Sequence, residues 1–137
     1  MAKQRITLLD YGAGNVIAGN DGPGVIILEY LFPTVGNKVL SNSIWGNAVI
    51  GIDLGEDGVT ANDTGDGDGG SNLRRNLPDR TSIEAAPSST IIAGTLDTTP
   101  GTFRVEFFSN SVCDASGHGQ GGRFLGSTEV TTAGTGA

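Results

Sequence analysis

At 137 residues the chain has room for one domain, or a small domain plus a partial one. Glycine fills 23 positions and charged residues only 17%, a composition of turns, and no window carries the sustained i, i+3, i+4, i+7 apolar spacing of an amphipathic helix. The net charge of −7 excludes the positive footprint that nucleic acid requires, no apolar run reaches membrane-spanning length, and the single Cys113 excludes an intrachain disulfide.

Met1 to Arg5 is polar and lacks the apolar core of a signal peptide, so an exported form would have lost its leader or be a fragment of a longer chain. Ile6-Thr-Leu-Leu-Asp-Tyr11 then reads as a strand. Its order of hydrophobic, acidic and aromatic residues returns at Val25-Ile-Ile-Leu-Glu-Tyr30, an offset of 19, which puts Tyr11 and Tyr30 at equivalent points of two rungs. Ile6 to Val16 also resembles the first strand and loop of a glutamine amidotransferase domain. That family needs a nucleophilic cysteine on a strand-to-helix elbow, with a histidine and an acid downstream. Val112-Cys113-Asp114 is not such an elbow, so the strand reading is kept.

The chain is organised around a repeat. Asn15-Val-Ile-Ala-Gly-Asn20 followed by Gly24-Val-Ile-Ile27 returns as Asn42-Ser-Ile-Trp-Gly-Asn47 followed by Gly51-Ile-Asp-Leu54, at a constant offset of 27. Short β-branched runs broken by Gly and Asn at such a period predict stacked coils of parallel strands. Gly and Asn suit left-handed corners, and Asn residues at matching corners are expected to hydrogen-bond from coil to coil. Pro33 cannot donate to a ladder, so Leu31-Phe-Pro-Thr-Val35 is predicted to leave the stack and fold over a face or an end of the coil. Trp45 replaces Ala18 of the earlier copy and is expected beneath that loop. An outward Trp45 would instead join Tyr11 and Tyr30 in an aromatic ligand-binding face.

Asp53, Glu56, Asp57, Asp63, Asp66 and Asp68 crowd into one stretch with no Lys or Arg between them. Their mutual repulsion destabilises a folded loop unless a cation or water relieves it. Asp63, Asp66, Asp68 and Asn72, with Gly interspersed, are the candidate ligands of a structural Ca2+ ion, because alternate carboxylates on a tight turn wrap hard oxygen donors around calcium. The loop lacks the twelfth-position Glu of an EF-hand. The competing reading is a solvated acidic connector. Clustered acids also admit glycoside or pectin cleavage, but no catalytic residue is assigned. Arg74, Arg75 and Arg80 read as a solvated basic turn.

Pro87-Ser-Ser-Thr90 reads as a linker. Thr90 to Leu96 and Phe103 to Phe107 are predicted strands joined through Thr98-Thr-Pro-Gly101, with Phe103, Val105 and Phe107 buried and Arg104 and Glu106 wet. Residues 109–122 form a Gly-rich loop with a packed Cys113 and an exposed His118 expected. Phe124 to Thr132 is a third strand.

Asn42 to Asn72, with Phe103-Arg-Val-Glu-Phe-Phe-Ser-Asn110 and Phe124-Leu-Gly-Ser127, resembles the last coil, exit segment and following β-sandwich-type segment of large bacterial surface or secreted proteins with right-handed parallel β-helix repeats. The likeness spans roughly residues 15–132 and implies a fold and a cell-surface or extracellular setting, with no reaction. The expected architecture is all-β: short right-handed parallel β-helix coils over residues 1–60, an acidic connector over 61–87 and a partial β-sandwich-like antiparallel sheet over 88–137. So few coils and strands leave pairing surfaces unmet. The expected function is therefore a non-catalytic structural or adhesive module that self-associates through strand edges or joins the remainder of a larger surface protein. The alternative is calcium-assisted polysaccharide binding or processing. Neither nucleic acid nor membrane insertion is expected.

Overall fold

The computed structural model describes residues 14–133. It is all-β, 38% strand and 3% helical. Strand β1 (Val16–Ala18) pairs in parallel with β3 (Ser43–Trp45), and β2 (Val25–Ile27) with β4 (Ile52–Leu54). Val16 lies opposite Ser43 and Val25 opposite Ile52, so the offset of 27 read from the sequence is the register of both ladders. Two antiparallel hairpins follow, β5 (Asp79–Ala86) with β6 (Ser89–Thr95), and β7 (Gly101–Ser109) with β8 (Arg123–Thr132). Among the described residues every sheet has two strands.

The parallel strands are three residues long because a corner follows at once. Gly19 and Gly46, equivalent in the repeat, take φ of 70° and 65°, where a side chain is strained. Gly24 serves a different need, since a Cβ there would stand 2.7 Å from the Gly51 carbonyl and 2.8 Å from Ile44 Cγ2. The apolar core is small, namely Ile27, Ile44 and Ile50. Asn47, Asp53, Asp66, Ser71, Asn76 and Thr98 are also buried, so polar contacts carry much of the interior.

The expected asparagine ladder is present. Asn15 donates its N–H (2.9 Å) and its amide (3.1 Å) to Asn42 Oδ1, and Asn20 does the same to Asn47 Oδ1 at 3.2 and 2.7 Å. A third couple, Asn37 and Asn72, repeats the motif at 2.9 and 3.3 Å. Its offset is 35 rather than 27, and the acid-rich loop occupies the added length. Asn72 and Leu73, within a short 3-10 segment (Ser71–Arg74), are left-handed. Glycine bends the chain at the Asn20/Asn47 corner and a left-handed Ser41 precedes Asn42, while asparagine ties one copy to the next.

Several expectations fail. Tyr30, Leu31 and Phe32 are 95%, 77% and 80% exposed, so the Pro33 loop covers nothing; it is anchored by Thr34, whose carbonyl accepts the Asn72 N–H at 2.7 Å. Pro87 and Ser88 are a hairpin turn and not a linker, and Asp79–Ala86, assigned above to the connector, is a strand. Its pattern misled because Ile83, opposite Ile92, is its only large apolar residue and the strand is exposed throughout. Consequently β6 pairs with β5, and β7 with β8. Glu106 is not wet: its carboxylate accepts the Ser41 N–H (2.7 Å) and Oγ–H (3.0 Å), binding β7 to a corner of the parallel unit. The reading of residues 6–13, Tyr11 included, lies outside the described residues.

Asn47→Ala would strand the Asn20 donors and the Ile17 carbonyl in a part-buried setting and leave Gln120 Oε1 with only the backbone N–H at that position. A loss on the order of 1–3 kcal/mol is expected in urea unfolding. Asn42→Ala, at an exposed couple, should lose less than half as much. Equal losses would show that the ladder is not what holds the copies together.

Candidate functional site

The acid-rich loop is folded back on itself. Asn62 accepts the Leu77 N–H at 2.8 Å and returns its amide to the Leu77 carbonyl at 2.8 Å, closing the base. Inside that closure Asn76 accepts the Asp63 N–H at 3.0 Å and donates to the carbonyls of Asp63 (2.6 Å) and Asp97 (2.8 Å). Asp66, 3% exposed, sits at the centre. Its Oδ1 accepts the Asn76 N–H at 2.7 Å, and its Oδ2 accepts Thr98 Oγ–H at 2.6 Å and the Arg75 guanidinium. Arg75 also donates to Thr99 Oγ1 at 2.5 Å and lies 5.4 Å from the centroid of the Phe103 ring. The loop is thereby bolted to the junction between the two hairpins.

Oxygens of Asp63, Asp66 and Asp68 lie within 4.8 Å of one another, the grouping read from the sequence. Asn72 is not part of it, being committed to Asn37. Arg75 supplies the positive charge that the acids demand, and Arg74 pairs with Asp57 at 2.7 Å. The solvated basic turn is thus corrected for both arginines: they are the counter-ions of the loop. Asp68 Oδ1 is buried without a partner, and Asp63 Oδ2 accepts only the Gly67 N–H, at 3.2 Å. These two carboxylates retain lone pairs for a hard cation, with Asp66 shared between that cation and Arg75.

Of the expected aromatic face, Tyr11 lies outside the described residues, while Trp45 ends β3 and Tyr30 follows β2, strands of different sheets. Trp45 is 52% exposed and borders the 109–115 loop instead of lying under the Pro33 loop. In that loop Cys113 is exposed, against the packed cysteine expected, and His118 is exposed as expected.

Gln120 escaped sequence reasoning. Its Oε1 accepts the Asn47 N–H (3.1 Å) and amide (2.9 Å), and its Nε2 donates to the Asn47 carbonyl (2.8 Å). The Gly121 carbonyl accepts the Ile44 N–H at 3.0 Å, and the Gly122 carbonyl accepts Ser43 Oγ–H at 2.6 Å. Gln120 therefore stands toward Asn47 as Asn47 stands toward Asn20. Its signal was the dipeptide Gly119-Gln120, an analogue of Gly19-Asn20 and Gly46-Asn47. Arg75, Asn76 and Thr98 carried no comparable signal.

The chain matches no family model, no curated protein and no solved structure. Among the described residues no helix is long and apolar enough to cross a membrane.

Burial pulls the Asp66 carboxyl upward, but the bonds from Thr98, Asn76 and Arg75 and the charge of Arg75 hold it below the usual carboxylate range. A carboxyl depressed in the folded state contributes stability above its unfolded value, about 3.9, and loses it as pH falls through the folded value. Asp66→Asn should cost on the order of 2 kcal/mol at pH 7. The gap between variant and parent, measured by urea unfolding from pH 7 downward, should narrow below about pH 4. A gap that persists unchanged into acid would exclude the charged role of Asp66.

Proposed function

We propose that the chain is a non-catalytic, architectural or adhesive module of the extracellular surface, built as coils of a right-handed parallel β-helix joined to antiparallel β structure. It associates through the β1 edge with a copy of itself or with the rest of a larger surface protein. The observation that carries this reading is the asymmetry of the two edges. Asn15 directs both its N–H and its carbonyl toward β3, so the backbone of Val16, next along the strand, points the other way. Among the described residues β1 pairs only with β3, and Val16 is 69% exposed. The far side of β3 is closed by Gln120 to Gly122. Among the described residues one edge is open to β-augmentation, and the other carries its own cap. The exposed ridge Tyr30 to Phe32 gives an associating partner apolar surface to cover.

Calcium belongs to the same reading as a stiffener of the acid-rich loop, held by Asp63 and Asp68 with a share of Asp66. The fit rests on the partnerless Asp68 Oδ1. The ion would supply charge neutralisation at the junction between the parallel unit and the hairpins.

Sedimentation velocity tests both parts. The purified chain should show concentration-dependent association that EDTA weakens. Val16→Pro, which removes the outward N–H at the edge, should shift it to monomer, whereas Gln120→Ala should increase association by uncapping β3. A parent chain that stays monomeric at all concentrations would sink the edge-pairing proposal, and indifference to EDTA would sink the calcium.

A further inference from the structure

Beside Trp45 lies an open cleft of about 490 Å3, walled on one side by the end of β3 and on the other by the 109–115 loop. Its size falls in the roughly 300–1,000 Å3 range of small-molecule sites. The walls are fixed by bonds that are independent of any ligand. Asp114 accepts the N–H (2.9 Å) and Oγ–H (2.6 Å) of Ser116 and the amide of Gln120 (3.1 Å), and Asn110 Oδ1 accepts the Gly122 N–H at 2.7 Å. Gln120 is pinned in turn to Asn47. Such a site is organised before a ligand arrives.

What the cleft leaves unspent defines its ligand. The indole of Trp45 is half exposed, and its N–H, the Asn110 amide and the hydroxyls of Ser109 and Ser111 have no hydrogen-bond partner among the described residues. No Lys, Arg or His lines the cleft, and the one charged lining group, Asp114, is a carboxylate. Anionic ligands, whether phosphates or uronates, meet repulsion and no counter-charge. A wholly apolar ligand would bury hydroxyls and amides that it cannot satisfy. The combination that suits both is a ring with apolar C–H faces and a rim of hydroxyls, because each hydroxyl can donate and accept beside Ser and Asn side chains while the face lies on an aromatic ring.

We propose that this cleft binds a neutral saccharide, one sugar ring lying on Trp45 and its hydroxyls paired with Ser109, Asn110, Ser111 and Asp114. The site differs from the aromatic face of Tyr11, Tyr30 and Trp45, and it stands independently of the edge-pairing architecture.

Trp45 is the sole tryptophan, so emission under tryptophan-selective excitation reports on this cleft alone. Titration with neutral oligomers of glucose, galactose, mannose and N-acetylglucosamine should give a saturable emission change with at least one of them. An oligomer of galacturonic acid should bind at least tenfold more weakly. Ser111→Phe, which fills the cleft without removing a bond of the loop, should weaken binding at least tenfold with an unchanged thermal melt. No saturable response to any of the four neutral oligomers overturns the proposal. So do equal affinity for the galacturonate oligomer, full affinity in Ser111→Phe, or a response confined to a leucine-rich peptide. Each of these outcomes leaves the sedimentation test untouched, so failure here is distinguishable from failure of the proposed architecture.

Discussion

The side-chain amide of Asn47 sits where three separate parts of the chain meet. It accepts from Asn20 and donates to the Ile17 carbonyl and to Gln120. With only Ile27, Ile44 and Ile50 as buried hydrophobic residues among the described ones, there is little apolar surface to hold three-residue strands together. A buried amide with every site used fixes register as well as adding stability, because sliding by one residue would leave several partners unpaired in a low-dielectric setting. The ladder is also directional. Each asparagine of the earlier copy donates and its partner's Oδ1 accepts, so a new rung is accepted in one sense only.

The acid-rich loop solves its electrostatic problem with residues that follow it in sequence. Six acids in one stretch need compensation, and Arg74 and Arg75 provide it from just beyond the loop, one at Asp57 and the other at Asp66. A guanidinium is suited to this task because it stays charged and one nitrogen carries more than one donor, so Arg75 Nη1 serves Asp66 and Thr99 while Cζ lies over the Phe103 ring. The buried carboxylate thus does for this junction what an apolar core does elsewhere, joining the loop, the Asp97–Thr99 connection and β7 in one network. Such a network is sensitive to the loss of any member, since a half-satisfied buried charge costs more than an apolar replacement.

Legibility in the sequence followed the range of the interactions. The parallel pairing and its register were readable because residue classes recur at 27, and the Asn ladder followed from the same recurrence. The acid cluster was readable because its members are neighbours in sequence. Strand β5 was not, since a hairpin with both faces exposed has no need for the alternation that marks a half-buried strand. The role of Arg75 was hidden because a basic residue reads the same whether solvated or paired, and Thr98 adds nothing to the pattern. Trp45 was misplaced because its neighbours come from residues 109–122, a contact that no local spacing encodes.

Gln120 joins the capped strand β3 to the cleft beside Trp45. A stack of rungs must stop somewhere, and an exposed last rung offers unpaired backbone to any passing strand. Closing it with another full coil only moves the problem along, whereas closing it with a loop ends it. The loop needs one side chain that reproduces the amide of a rung and a backbone thin enough to approach β3. Gln120 supplies the first, its longer side chain reaching where an Asn on a true rung would already lie. Gly121 and Gly122 supply the second, with their carbonyls taking the Ile44 and Ser43 donors. Because the same Gln120 also holds Asp114, the act of capping fixes the wall of the cleft beside Trp45. The loop that caps β3 thus also walls the polar cleft, which explains why the cleft lies at the capped end of the parallel unit and not along its faces.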